Sequence, residues 1–400
     1  MMSTVQPAAS RPVSSFLDPY RRITSSGAFI PEIDGLRFLA IFSVYIYHLA
    51  GDVLRHSAPG TDALLKTNWF FSMTQILNFG VPMFFVISGF ILGLPFASTQ
   101  LRGARPVELR KYFWRRVTRL EPPYILCLLL FYALKVAAGR GTAVSLFPNL
   151  FASIFYVHNI AFGEPSVINF VAWSLEIEIQ FYILAPLLAF VFMIPRPARR
   201  RTILVVAIAL ATGLGALVSG NFVLSHSLLE DAQYFLAGFL LVDLYLSGGE
   251  RRQKKLWWDI AWIVGWPLLL ILLVRDDAIS YWIVPWLLVL LYSAAYHGVW
   301  ANRFVTNAWI ATIGGMCYTI YLLHNYLVAS IGLGTERFLA SAGFWTRLGL
   351  QFCIITPLVL VVCALYFRWI ERPCMRPGWV RELAGAFSWT RAETKLQSYE

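Results

Sequence analysis

Charge is scarce in this sequence. Asp, Glu, Lys and Arg make up 14% of its 400 residues, against about 25% in an ordinary soluble domain. Hydrophobic residues reach 58% and mean hydropathy is +0.62, which excludes a disordered chain and argues against a soluble enzyme. Acidic residues are the scarcer sign, 22 against 33 basic, for a net charge of +11. Cysteine is sparse as well. Cys127, Cys317, Cys353, Cys363 and Cys374 form no CxxC pair and mostly fall inside apolar runs, so they read as small packing residues. There is no zinc-ligand spacing and no RNA-binding motif, so neither a metal nor a nucleic-acid partner is expected. No short apolar core with a small-residue cleavage site opens the chain, which makes the first apolar run an uncleaved anchor. No inverted repeat of the kind many transporters carry is visible.

Long apolar runs are what the sequence has in quantity. A helix crossing the hydrocarbon core needs roughly 20 mostly apolar residues. Ten candidates meet that length approximately, near residues 33–54, 74–97, 120–138, 168–194, 203–220, 232–247, 256–274, 279–297, 308–331 and 347–370. The expected fold class is therefore an all-α integral membrane protein of about ten transmembrane helices. With both termini in the cytoplasm, 25 of the 33 Lys and Arg residues fall in inner segments and 7 in outer ones, as the positive-inside rule requires. Residues 1–32 read as a cytoplasmic segment, 33–370 as the membrane domain and 371–400 as a cytoplasmic tail with little fixed structure. The runs Arg196–Arg201 and Arg251–Lys255 are expected to set orientation and meet anionic lipid headgroups.

An ionisable group near the bilayer centre costs about 2.5–3.5 kcal/mol on insertion scales and so needs a reason. Arg37 and His48 share span 1, eleven residues apart. That separation puts them on one helix face and about 16 Å apart along the axis, with Asp34 at the inner boundary. His48 is either a satisfied packing residue or a catalyst. Span 4 carries Glu176 and Glu178, which point about 200° apart and cannot form a dyad. Glu178 lies at a depth from which it could charge an imidazole, or it fixes helix packing through an interhelical bond. In span 9, Tyr318, Tyr321 and His324 rise as one stripe toward the outer side. They form either a second catalytic His with its supports or an interfacial aromatic belt. Arg115, Arg116 and Arg119 lead into Leu120-Glu121-Pro122-Pro123. Arg115 and Arg119 are i, i+4 neighbours able to grip a phosphate from two sides, although topology alone would also place basic residues there. Ser88, among glycines in Gly80–Phe90, suits close packing or a ligand-bearing break.

In order, these motifs resemble the acyltransferase-3 family of integral-membrane O-acyltransferases, in its stand-alone form, over about residues 31–375. Arg37 and His48 are similar to its Arg-x10-His signature. Gly80–Phe90 is similar to its Gly-Val-x-x-Phe-Phe-Val-x-Ser-Gly-Phe stretch, with Pro82 where many members carry Asp. Arg115-Arg116-x-x-Arg119-Leu-x-Pro, Trp173-Ser-Leu-x-x-Glu178-x-x-Phe181-Tyr182, Tyr318-x-x-Tyr321-Leu-Leu-His324 and Glu371-Arg372-Pro373 complete the resemblance.

The resemblance implies transfer of an acyl group, acetyl foremost, from cytoplasmic acyl-CoA to a hydroxyl of an extracytoplasmic carbohydrate or glycolipid. It places the chain in a bacterial plasma membrane. Arg37, Arg115, Arg116 and Arg119 would bind the donor. His48, Glu178 and His324 would be catalytic, with Asp34, Ser88, Tyr318 and Tyr321 in support. His48 would act as general base with Glu178 stabilising its imidazolium, or as a nucleophile forming an acyl-imidazole. A transporter or flippase of a polysaccharide precursor is the reading from another functional class. It should show repeated broken helices and no response to acyl-CoA.

Overall fold

The computed structural model describes residues 16–24, 29–57, 61, 65, 68–248, 253–339 and 341–382. Residues 1–15 and 383–400, and Arg251 and Arg252 of the Arg251–Lys255 run, lie outside the described residues. The long helices are α1 (Pro31–Arg55), α2 (Gly80–Arg102), α3 (Leu109–Ala137), α4 (Trp173–Leu188), α5 (Pro197–Val218) and α6 (Leu228–Ser247). They continue as α7 (Leu256–Arg275), α8 (Ala278–His297), α9 (Ala308–Gly315), α10 (Cys317–Leu339) and α11 (Phe344–Tyr366). No strand occurs among the described residues. The protein is an all-α integral membrane protein.

Eight helical stretches are long and apolar enough to cross a membrane, and α9 with α10, bent by 72° at a short break, makes a ninth. The remaining predicted span, 232–247, corresponds to α6. It is a helix of 20 residues, long enough at about 30 Å, but Glu230, Asp231 and Asp243 make it too polar to count by composition. It is an inner helix: Tyr234, Phe235, Phe239, Leu241 and Asp243 are all buried. The outer helices are the reverse. Leu256, Ile260, Ile263, Val264 and Ile271 of α7 are all exposed, as a lipid-facing stripe must be.

Close backbone contact joins α2 to α6. A Cβ on Gly89 would lie 2.1 Å from the carbonyl oxygen of Phe235, and one on Gly238 would lie 2.3 Å from that of Val86. Without side chains at these two points the helices approach until backbones touch, the small-residue packing that membrane helices use.

Two expectations need correction. Arg200 and Arg201 do not simply meet lipid headgroups. Arg200 is buried and both guanidiniums donate to Asp243 of α6, so part of that basic run is an internal ion pair. The tail does not begin as loose chain at 371 either. A π-turn over Phe367–Glu371 continues α11, Glu371 is buried, and Trp379 Nε1 donates to the Thr118 carbonyl at 3.2 Å. Hydropathy falls here because the helix end turns inward to a polar cavity rather than outward to water.

Candidate active site

The site is built from α1, α2, α3, α4 and α10, with the π-turn that follows α11. Asp34 and Arg37 sit on the first turns of α1, where the Arg37 Nη1 donates to Asp34 Oδ1 at 2.7 Å. This end of α1 packs against α9. A Cβ on Gly314 would fall 1.7 Å from the Asp34 carbonyl oxygen, so the break between α9 and α10 lies directly against Asp34.

Arg37 lines a cavity of about 840 Å³, its open mouth included, together with Ser88 of α2, Arg116 and Arg119 of α3 and Glu178 of α4. Tyr318 and Tyr321 of α10 and Glu371 also face it. Glu178 accepts hydrogen bonds from Ser88 Oγ and Tyr182 Oη, and the Arg116 guanidinium sits 5.4 Å from the centre of the Tyr182 ring. The carboxylate is thus held by two hydroxyls inside a ring of three guanidiniums, a surface suited to a polyanionic ligand. Ser88 is placed by the same segment whose Gly89 lets α2 touch α6.

Three sequence expectations meet the structure unevenly here. Ser88, Arg37, Arg116, Arg119, Glu178, Tyr318 and Tyr321 converge on one cavity. Arg115 does not join them: it is exposed on α3, while Arg116 and Arg119, three residues apart, turn inward. Glu178 was expected beside His48, but no hydrogen bond joins them among the described residues, and the Glu178 carboxylate is committed to the cavity. Glu176 diverges from Glu178 as the helical rotation requires. Its two oxygens accept the backbone N–H groups of His158 at 3.1 Å and Asn159 at 2.9 Å, which anchors a loop turn.

His48 lies farther along α1, outside the residues that line the cavity. Its ring centroid is 5.1 Å from that of His324 on α10 and 6.4 Å from that of Phe170. His324 is fully buried. Its Nδ1 donates to the carbonyls of Ile320 at 2.8 Å and Tyr321 at 2.9 Å, which leaves Nε2 as the acceptor nitrogen, buried and unpartnered. The cavity and the histidine pair are neighbours. Tyr321 lines the cavity, its hydroxyl meets Ser174 Oγ at 2.9 Å, and its carbonyl holds His324. Tyr318 is fixed at the cavity's other side, donating to the Leu120 carbonyl at 2.9 Å.

Glu371 was quoted as part of a motif but not expected in the site. The π-turn aims it into the cavity, where Oε2 accepts from the backbone N–H of Thr319 at 3.1 Å and from Thr319 Oγ1 at 2.5 Å. A π-turn inside a helix often marks such a site, but its register is invisible in hydropathy. Cys317, read as a packing residue, also lines the cavity at the start of α10.

At the other end of α1, Asp52, His56 and Glu336 bring their ligand atoms within 4.8 Å of one another. Arg55 donates to Asp52 at 2.8 Å and Arg347 lies 2.9 Å from Glu336. Both carboxylates are therefore already paired with guanidiniums, and the cluster is an ion-pair network tying α1 to α10 and α11.

Comparison with known proteins fits this geometry. The acyltransferase-3 family pattern, described as an acyltransferase domain, matches residues 30–368. The chain belongs to the acyltransferase-3 family. It is 24% identical over 384 residues to the O-acetyltransferase OatA of Staphylococcus aureus, covering 88% of this chain and 58% of that protein. It is 30% identical over 179 residues to the peptidoglycan O-acetyltransferase OatA of Listeria monocytogenes, covering 42% of this chain and 25% of that protein. The chain thus spans less than two thirds of the length of these relatives. No solved structure matches it.

Proposed function

We propose that this protein moves an acetyl or related acyl group from cytoplasmic acyl-CoA to a hydroxyl of an extracytoplasmic glycan, within a bacterial plasma membrane. The observation that carries the reading is the division of labour along α1. Arg37 faces a guanidinium-ringed cavity at one end, and His48 meets His324 about three turns farther on. The positive-inside charge distribution turns the Arg37 end to the cytoplasm, where CoA phosphates arrive. Cell-wall or surface polysaccharide hydroxyls are the acceptor class, in keeping with the peptidoglycan named for the Listeria relative.

In this mechanism Arg37, Arg116 and Arg119 hold the donor phosphates, and the pantetheine arm extends past Ser174 and Tyr321 toward the histidines. His48 takes the proton of the acceptor hydroxyl as its oxygen attacks the thioester carbonyl. The carbonyl–sulfur bond breaks, and the departing thiolate receives that proton, so no charge accumulates over the cycle. His324, with Nδ1–H bound to carbonyls, keeps a lone pair on Nε2, and its ring lies 5.1 Å from that of His48, from where it positions its neighbour.

Mass spectrometry of surface glycans tests the reading. Cells carrying the protein should show glycan species heavier by one acetyl group, and cells carrying His48→Ala should not. Equal acetylation with and without the protein would refute it.

A further inference from the structure

The segment before α1 returns to the cavity. Leu17 is buried, and the Phe16 ring centroid lies 6.2 Å from that of Trp309. Arg372 fastens the segment, its Nε donating to the Arg21 carbonyl at 3.1 Å and its Nη2 to the Asp18 carbonyl at 3.3 Å. The next residue, Arg22, is thereby laid beside the cavity wall. A Cβ built on cavity-lining Gly315 would lie 3.6 Å from Arg22 Cβ and 3.9 Å from Asp34 Oδ2.

Arg22 is not satisfied there. Its side chain is 10% exposed, and its Nε lies 3.5 Å from Asp34 Oδ1, an oxygen already taken by Arg37 at 2.7 Å. The Arg22 Nε is buried without a hydrogen-bond partner, and so is Nε of Arg119. Buried donors are normally paired, and two guanidinium N–H groups left open beside one cavity point to an absent acceptor. The charges agree. Among the described residues, Arg37, Arg116 and Arg119 line the cavity against Glu178 and Glu371, and Arg22 beside Asp34 brings the count to four guanidiniums and three carboxylates. Burial, with Arg37 close by, pushes the Arg22 guanidinium down to about 9, the mark of a cation whose charge is not yet compensated.

We infer that Arg22 is a fourth donor-binding guanidinium, delivered by the N-terminal segment to the phosphate groups of the acyl donor. The inference rests on the acyl-CoA reading above for the identity of the ligand, and on the unpartnered guanidiniums for its chemistry. Arg22 falls outside the residues that match the family, 30–368, whereas Arg372, which fastens its segment, stands in the Glu371-Arg372-Pro373 motif.

The test uses the full chain in nanodiscs and reads affinity from ligand-induced thermal stabilisation. The probes are coenzyme A, pantetheine (the same arm without phosphates) and inorganic pyrophosphate. Arg22→Gln should weaken coenzyme A binding at least tenfold and leave pantetheine binding unchanged. Arg22→Lys should recover most of the loss, and Arg372→Ala should reproduce it by releasing the segment. Ligand-free Arg22→Gln should melt no lower than wild type, because it removes an uncompensated buried charge. Unchanged coenzyme A affinity in Arg22→Gln would overturn the inference while leaving the acyl-CoA reading intact. Equal loss of coenzyme A and pantetheine, with a lower ligand-free melting point, would also overturn it, by showing a structural role. If wild type ignores coenzyme A but binds pyrophosphate through Arg22, the phosphate site stands and the acyl-CoA reading falls.

Discussion

The rings of His48 and His324 lie 5.1 Å apart, centroid to centroid, although they come from α1 and α10. The two are not equivalent. His324 is fully buried with Nδ1 committed to two carbonyls of its own helix, whereas His48 is only half-buried and can meet a second substrate. In the proposed mechanism this asymmetry gives proton transfer to His48 and a positioning role to His324. His48→Ala should lower turnover by about 10²–10⁴-fold, the ordinary worth of a general base, with the melting temperature unchanged. His324→Gln, which can still offer an acceptor near the Nε2 position, should cost less than His324→Ala. Steady-state acetyl transfer to an oligosaccharide, measured beside melting curves, checks both.

Glu178 separates two versions of the mechanism. It is held by Ser88 and Tyr182 inside the cavity, which in the proposed mechanism puts it with the donor and not with the imidazole. Glu178→Gln should therefore change the KM for acyl-CoA and leave the pH at which the rate halves where it was. A displaced pH profile with an unaltered donor KM would restore the carboxylate to His48.

Much of this was legible in the sequence, and the misses have physical causes. Apolar runs located the long helices because lipid contact tolerates little else, and α6 was found despite Glu230, Asp231 and Asp243. Depth along a helix follows from 1.5 Å per residue, so Arg37 and His48 were placed at their separate levels. What spacing cannot give is which neighbour a side chain turns toward. Glu178 has the right depth for His48, but α4 turns it to Ser88 of α2. Arg115 and Arg116 are adjacent in sequence and equally basic, but only the packing of α3 decides which one faces inward. Arg22 depends on chain return, through contacts with Arg372 some 350 residues later, and no local pattern encodes that.

The inward turn of α3 makes a graded prediction. Arg116→Ala and Arg119→Ala should each weaken stabilisation by coenzyme A, Arg119 more so because its Nε is buried and open. Arg115→Ala, on an exposed side chain, should change that stabilisation by less than about twofold, since exposed charges are screened. Equal losses at Arg115 and Arg116 would mean that the donor lies along the outside of α3 rather than in the cavity.

Asp243 carries two guanidiniums inside the bundle, from Arg200 and Arg201. Removing one partner of a buried pair leaves an uncompensated charge, at about 3–5 kcal/mol. Asp243→Ala should thus lower thermal stability sharply. The double variant Arg200→Met with Asp243→Leu should recover part of the loss, and coenzyme A stabilisation should persist in it, because the pair lies away from the donor cavity.

The contact between α1 and α9 supplies a final test with its own control. A methyl on Gly314 would sit 1.7 Å from the Asp34 carbonyl oxygen, a backbone atom that cannot rotate away. Gly314→Ala must therefore push α1 from α9. Overpacking of this kind costs about 1–3 kcal/mol, and here the displaced turn carries Asp34 and Arg37. The variant should lose both melting temperature and coenzyme A affinity. Gly349 lies in α11 with nothing within 4 Å of its would-be Cβ. Gly349→Ala should raise stability by about 0.5–1 kcal/mol through helix propensity alone and leave coenzyme A affinity where it was. If Gly314→Ala lowers stability but binds coenzyme A as tightly as wild type, the Asp34–Arg37 turn is not part of the donor site.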